Sequence, residues 1–432
     1  MTAVAPPLDE APKRRRFLPD LGTDPATPLY ILFGLNLVDE LDRIAFANLS
    51  PEIADTLGVS ETAIVAVGSL SAVFILVGAL PLGYLGDRYP RTRIAGIAAM
   101  VWGTMAVVTG LAWALPLLFV ARLGSGVART SNEVIHPSLL ADYYRPNVLP
   151  QAFRVHRAAS PLGYGAAIGI GALATWAGWR LTFVLLAIPT FVLLIALRSL
   201  HEPPRTRSVE LRTDDEPEAP PMSFREARRS LFAVRTLRRC WLGGFLLGVA
   251  LIANAQLLSL FFKNVHGFDP FQRGIVQFTV GAGTLVGIVL GGRAAAKAAA
   301  AGSYTRLPYV VAASFLATAV ALIGMSLLPW AVAGVGCVFI LGIGLGVYQP
   351  AYFPLVARIV HPRIKTQAYG WTLVFAGLGA ILAIPLARFG ENHSYRGAFA
   401  ALAGLITIGA AVVASSSSRV QADMDRADSF DF

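Results

Sequence analysis

Residues 63–113 read AIVAVGSLSAVFILVGALPLGYLGDRYPRTRIAGIAAMVWGTMAVVTGLAW: two apolar runs, 63–86 and 92–113, joined by a turn dense in charge. Each run has the length, roughly 20 residues, that an α-helix needs to cross a ~30 Å hydrocarbon layer. Asp87, Arg88, Arg91 and Arg93 end one run and delay the next. The stretch therefore reads as two membrane-crossing helices that turn back through a tight basic loop, and such loops stay on the cytoplasmic side.

The same pattern continues in both directions, with apolar runs near 28–50, 115–141, 150–177, 179–198, 239–264, 272–296, 306–327, 329–356, 366–389 and 395–415. Together they predict an all-α membrane protein of twelve transmembrane helices. Composition agrees: the 432 residues are 55% hydrophobic and 14% charged, with a mean hydropathy of +0.60. One soluble core cannot hide that much apolar side chain, so lipid is the main solvent. Cys240 and Cys337 sit in different apolar segments without disulfide or metal spacing. The six histidines are scattered, and neither G-x-S-x-G nor H-E-x-x-H occurs. No enzyme, metal site or cofactor is expected.

The net charge of +10 does not form a basic patch beside stacking aromatics, which argues against nucleic acid. It follows the loops instead. With the amino terminus inside, 26 of the 36 basic residues fall on cytoplasmic segments. The opposite side holds only Arg180, Lys263, Arg273, Arg388 and Arg396, and its first loop carries Glu52, Asp55 and Glu61. A multi-pass protein of the inner or plasma membrane with both termini cytoplasmic is expected.

Five units follow. Residues 1–27, with the run Lys13-Arg14-Arg15-Arg16, read as a disordered cytoplasmic tail; 28–198 form an amino-terminal six-helix bundle; 199–238, rich in proline and charge, form a cytoplasmic linker; 239–416 form a second six-helix bundle; and 417–432 a second cytoplasmic tail. In the linker, Phe224, Ala227, Leu231 and Val234 recur at helical spacing opposite arginines, as in an amphipathic helix lying on an anionic leaflet or an ordinary loop helix. Internal repetition supports two pseudo-symmetric halves: Trp179-Arg180 with Phe183 opens span six, and Tyr395-Arg396 with Phe399 opens span twelve. Such halves place a substrate near the midplane between them.

The turn Gly83-Tyr-Leu-Gly-Asp87-Arg88-Tyr-Pro-Arg91-Thr-Arg93 resembles a signature of the major facilitator superfamily, with Gly86 and Pro90 as departures. The resemblance implies the major facilitator fold and a cytoplasmic gate at Gly83, Asp87, Arg88 and Arg91. Together with Asp42-Arg43 in helix one, and Arg122, Gly126 and Pro137 in span four, the chain resembles the Spinster family of lipid transporters over its amino-terminal half. The glutamate usual in that family falls on Arg129 here, with Glu133 one helical turn further on.

Charges inside a bilayer are costly unless paired or facing water, and so mark function by default. Asp39, Glu40, Asp42 and Arg43 in helix one reach depths similar to those of Arg122, Arg129 and Glu133 in span four, which predicts an ion-pair network between the two helices. Either the charges only brace the helices, or at least one of Asp39, Asp42 and Glu133 changes protonation during transport. His136 extends the stripe of span four. Arg43, Arg122 and Arg129 suit a phosphate, with long apolar walls for an acyl chain. Asn254, Gln256, Tyr348 and Gln349 are the polar candidates of the second half, for substrate or for helix-to-helix hydrogen bonds. The expectation is a monomeric, proton-coupled transporter of a lysophospholipid or similar single-chain phosphate-bearing lipid. The alternative is a proton-driven exporter of a drug or small organic anion.

Overall fold

The computed structural model describes residues 21, 24–144, 149–203, 224–360 and 364–429. The expected tail at 1–27 and the middle of the linker fall largely outside them.

Helix α1, Thr27–Leu57, starts with a proline in its first turn and ends at Gly58, whose φ of 62° is the left-handed cap that glycine allows. Ser60 then caps α2, Glu61–Arg88, by accepting a hydrogen bond from the Ala63 N–H. Helices α3, Arg91–Leu111, and α4, Leu115–Tyr143, follow. Span five is broken into α5, Leu149–Arg157, α6, Ala159–Gly165, and the first part of α7, Ala167–Leu197. Gly178 (φ 75°, ψ 163°) ends that span inside α7, and the remainder is span six. The described part of the linker forms α8, Phe224–Ala233.

Span seven joins α9, Arg235–Gly248, to α10, Asn254–His266, through a π-helical turn at Val249–Ala253. Helices α11, Pro270–Ala300, α12, Leu307–Leu327, and α13, Ala331–Ile359, are continuous. Span eleven is broken, like span five, into α14, Lys365–Ala380, and α15, Ala383–Asn392. Helix α16, Tyr395–Ala414, is the twelfth span, and α17, Ser417–Ser429, follows it. Among the described residues, eight helical stretches pass on length and hydropathy alone as membrane spans; α1 and α4, which carry internal charges, do not.

The halves repeat one plan. Helix α3 packs on α4 and α7, and α2 on α4; in the second half α12 packs on α13 and α16, and α11 on α13. The repeated Trp/Tyr-Arg pair has the same job in both. Arg180 donates to the Gly110 and Ala112 carbonyls at the end of α3. Arg396 donates to the Ser326 and Leu328 carbonyls at the end of α12, at 3.1 and 2.8 Å. Each guanidinium thus satisfies carbonyls that a helix C-terminus leaves open, at the negative end of its dipole.

Large apolar side chains cover the outside, such as Ile188, Val192 and Ile195 on α7 and Leu316 and Val320 on α12. Trp113, Trp176 and Trp330 stand exposed at the end of the bundle away from the termini, the level of an interfacial aromatic belt.

Two expectations need refinement. The apolar face of α8 is not presented outward: Ala227, Leu231 and Val234 are buried in the core of the second half, which offers them an apolar wall nearer than lipid. Residues 417–429 of the second tail are a docked helix that buries Val420 and Met424, and its Asp423 accepts a 2.8 Å hydrogen bond from the Thr236 N–H.

Helices α11 and α13 meet backbone to backbone through Gly283, Gly287, Gly342 and Gly346, the close approach that small residues permit in lipid. A Cβ on Gly287 would run into the Ile343 carbonyl, whereas one on Gly292 meets nothing. Gly287→Val is therefore expected to cost about 1–3 kcal/mol, read as a lowered melting temperature in detergent. Gly292→Ala should melt with the wild type.

Candidate functional site

Helix α1 turns Asp39, Glu40, Asp42 and Arg43 toward α4 and the first part of span five. Asp42 is buried and accepts a 2.7 Å bond from Arg122, whose guanidinium also lies over the Phe46 ring at 4.4 Å from its centroid. Arg129 is shared: it reaches Asp39 at 3.1 Å and Glu40 at 3.2 Å. Asn132 donates to Asp39 at 3.0 Å, and Glu40 takes a second partner in Arg43 at 2.7 Å. Arg43 in turn lies over Tyr164 of α6. Three carboxylates and three guanidiniums thus neutralise one another inside the first half.

Glu133 does not join this network. It takes both of its bonds, at 2.9 Å, from Arg157 of α5, and both side chains are half exposed. Four residues along a helix rotate a side chain about 40° past its predecessor, which turns Glu133 from α1 toward α5. Within α1, Arg43 pairs with Glu40 at i,i+3. Spacing by itself pointed to neither Asn132 nor Arg157.

Gln256 donates to the Ile64 carbonyl at 3.0 Å and is a strut between halves. Asn254 is buried, Tyr348 stacks on Tyr352 with centroids 5.2 Å apart, and Gln349 is exposed.

The bonds between the two halves cluster at the end that carries the α1–α2 turn. Buried Arg273 pairs with Glu52, and Lys263 reaches Asp55 at 2.6 Å. Glu61 accepts from Asn264 at 2.8 Å and from the Tyr395 hydroxyl. Glu391 accepts from the Thr62 N–H and hydroxyl at 3.1 and 2.7 Å. Deeper, the Ser259 hydroxyl donates to the Asn48 carbonyl at 2.7 Å, and Asn48 donates to the Pro270 carbonyl at 3.0 Å. Across the halves α2 lies along α14 and α15, α6 and α7 along α11, and α1 along α10. The far end is closed by a polar latch between acids near the α1–α2 turn and side chains of the second half.

At the terminal end, Gly83 and Asp87 lie within α2, but their side chains are outside the description; Arg88 is exposed. Arg91 does not cross the halves. It is buried and bonds Asp142 of α4, the Ser138 hydroxyl at 2.9 Å and Glu202 at 3.0 Å, clasping α3, α4 and the start of the linker. Glu202 also accepts from the Thr92 N–H and hydroxyl, both at 2.8 Å. Partial burial opposes the charge on Glu202, but hydrogen bonds from Thr92 and Arg91 outweigh it and hold the carboxyl below its usual range.

A second polar cluster escaped the spacing argument. His136 Nδ1 and His156 Nε2 lie 3.2 Å apart, and Asn36 donates to the His156 carbonyl at 2.9 Å. Beside them Asp39, Arg129, Ser131, Asn132, His136 and Trp102 line a cavity of about 20 Å³, the size of one water.

The Major Facilitator Superfamily family model matches residues 32–384 of this chain. The chain belongs to that superfamily. It is a membrane-embedded transporter rather than an enzyme, and within the superfamily it resembles the Spinster proteins. Protein spinster homolog 1 of Xenopus laevis is 28% identical over 195 residues, 43% of this chain and 36% of that protein. The probable L-galactonate transporter of Escherichia coli (strain K12) is 26% identical over 346 residues, 72% of this chain and 74% of that protein. Among solved structures, an inward-facing, unoccupied bacterial homolog of human lysosomal Spinster superposes with a TM-score of 0.79 at 21% identity, covering 93% of this chain and 99% of that one.

Two measurements test this geometry. Arg122→Ala strands Asp42 as a buried, unpaired charge and is expected to cost about 3–5 kcal/mol of stability; adding Asp42→Asn should restore most of the lost melting temperature. For Glu202, whose carboxyl titrates below its usual value, the stability it adds is complete above about pH 4.5 and is lost as pH falls through the lowered value. The melting gap between wild type and Glu202→Gln should therefore stay constant from pH 7 to 5.5 and shrink only in stronger acid.

Proposed function

We propose that this superfamily member carries a single-chain, phosphate-bearing lipid, with lysophospholipid first and a sphingosine-phosphate-like molecule second, by proton-coupled alternating access. The observation that carries the reading is the balanced network of Asp39, Glu40 and Asp42 with Arg43, Arg122 and Arg129. Because each arginine already has a carboxylate, a phosphate can enter only by competing for it. Protonation of Asp39 or Asp42 removes that competitor and frees a planar, permanently charged donor for the phosphate. Proton and anion then travel together, and loss of the proton restores the internal pair and expels the anion. Glu133, paired with Arg157 at the half-exposed edge, would act by exchanging that arginine rather than from within the network.

Relatives support the lipid. The sphingosine-1-phosphate transporter SPNS2 of Danio rerio is 28% identical over 151 residues, 33% of this chain and 29% of that protein. A small organic acid is the second reading, favoured by the longer alignment with the probable L-galactonate transporter. The uneven distribution of basic residues supports cytoplasmic termini. In that orientation the latch of Glu52, Asp55, Glu61, Lys263 and Arg273 closes the outer side, and the described state faces inward.

Labelled lysophospholipids, their diacyl parents, galactonate and cationic dyes, each tested for uptake into proteoliposomes, separate these readings. Lysophospholipid uptake driven by a pH gradient is expected, abolished in Asp42→Asn and in Arg122→Ala. Uptake of galactonate or dyes without any lysolipid would overturn the lipid assignment. Gradient dependence unchanged in Asp39→Asn, Asp42→Asn and Glu133→Gln would reduce the network to a brace. Protease added to right-side-out vesicles should leave the linker uncut, and cleavage there would reverse the topology.

A further inference from the structure

We propose that Arg225, Arg228, Arg229, Phe232 and Trp371 form a headgroup pocket for an anionic glycerophospholipid of the leaflet on the terminal side, separate from the transport pathway. The five side chains line a cavity of about 530 Å³, within the size range of small-molecule sites. Its walls follow from how α8 is docked. Ala227 and Leu231 are buried in the second half, which fixes the rotation of the helix and sends residues 225, 228 and 229, spaced i, i+3 and i+4, outward together. All three arginines are exposed, and none is engaged by a carboxylate among the described residues. Among the described residues they bring three positive charges to one exposed face of a docked helix, with Glu226 the acid nearest in sequence.

The floor is aromatic. Phe232 packs against Trp241 and Trp371 with centroids 5.1 and 5.3 Å apart, and Trp241 stacks on Phe375 at 5.2 Å. Trp371 sits six residues into α14 from Lys365, a depth of about 9 Å, while Trp241 beneath it is buried and donates its N–H to the Thr372 hydroxyl at 3.1 Å. Tryptophan gathers at that level of a bilayer because its ring is apolar while its N–H seeks the wet headgroup region. A soluble phosphate would use the arginines and leave the rings idle. A phospholipid uses both, with the phosphodiester on the guanidiniums and the first carbons of its chains over Phe232 and Trp371. The three positive charges select an anionic headgroup over a zwitterionic one.

The test uses the full chain purified in detergent, with native mass spectrometry and thermal melting in the presence of phosphatidylglycerol, phosphatidylcholine or free glycerol phosphate. Phosphatidylglycerol should be retained in preference to phosphatidylcholine and should raise the melting temperature. Affinity for it should fall roughly fivefold for each arginine removed, the effect of one basic side chain near an anionic surface, and the R225Q/R228Q/R229Q variant should lose the preference altogether. Because these side chains hold no other element among the described residues, the variant should elute and melt like wild type without lipid; if it does not, the three single variants carry the same expectation one step at a time. Equal retention of the two lipids, undiminished phosphatidylglycerol binding in the variants, or equal stabilisation by glycerol phosphate would overturn the proposal. None of these outcomes depends on which molecule is transported.

Discussion

A carboxylate buried in a membrane bundle is tolerable only beside a cation, and the first half of this protein is arranged around that constraint. Asp42 is almost wholly enclosed, and Arg122 at 2.7 Å is the partner that makes its charge acceptable there. Breaking such a pair leaves a bare charge in low dielectric, which costs far more than the intact pair contributes. Helix α1 is therefore held to α4 not by apolar packing alone but by charges that cannot be parted without a proton or a competing ion. Anything that neutralises Asp39 or Asp42 therefore loosens the grip of α4 on α1.

The second half is built on the opposite principle. Helices α11 and α13 meet there along a glycine seam with backbone against backbone, and two buried amides satisfy carbonyls, Gln277 at Ala255 within this half and Gln256 at Ile64 across to the first. Dispersion and amide hydrogen bonds tie this half into a stiff body. The contrast divides the labour: one half carries charge that can be rearranged, while the other offers a wall and a set of struts. The latch at the far end couples them, because its ion pairs join helix ends of the two halves: Lys263–Asp55 is part-exposed and opens at small cost, whereas breaking the pair of Glu52 with the buried Arg273 costs more.

Both ends of the bundle use polar side chains to finish helices that lipid cannot finish. Arg180 and Arg396 close the carbonyl ends of α3 and α12, and Arg91 with Glu202 closes the other end of α3. The basic residues of the loops thus have two duties, setting orientation and satisfying backbone, and the second decides which of them are buried. Arg91 is enclosed for this reason, while Arg88, three residues before it, remains exposed.

Much of this was legible in the sequence, because the signals are local. A run of apolar residues of bilayer length bounded by charge specifies a span wherever it sits, and the turn at 83–93 and the repeated Trp/Tyr-Arg pairs located the halves before any contact was known. The depth of Asp39, Asp42, Arg122 and Arg129 could be counted along two helices, so their meeting was foreseeable. Their partners could not be. Whether Arg43 takes Asp39 or Glu40, and whether Glu133 faces α1 or the Arg157 of α5, depends on helix rotation of some tens of degrees, which packing sets and spacing does not. The same holds for the His136–His156 contact and for the latch of Glu52 with Arg273, each of which joins residues from separate helices. Sequence by itself determined the spans, their grouping and the depth of the buried charges, because the bilayer imposes a length and an energetic cost on each segment independently. Only the tertiary structure decided which charges pair, which amides are struts and which end is closed, because those outcomes depend on how neighbouring helices turn against one another.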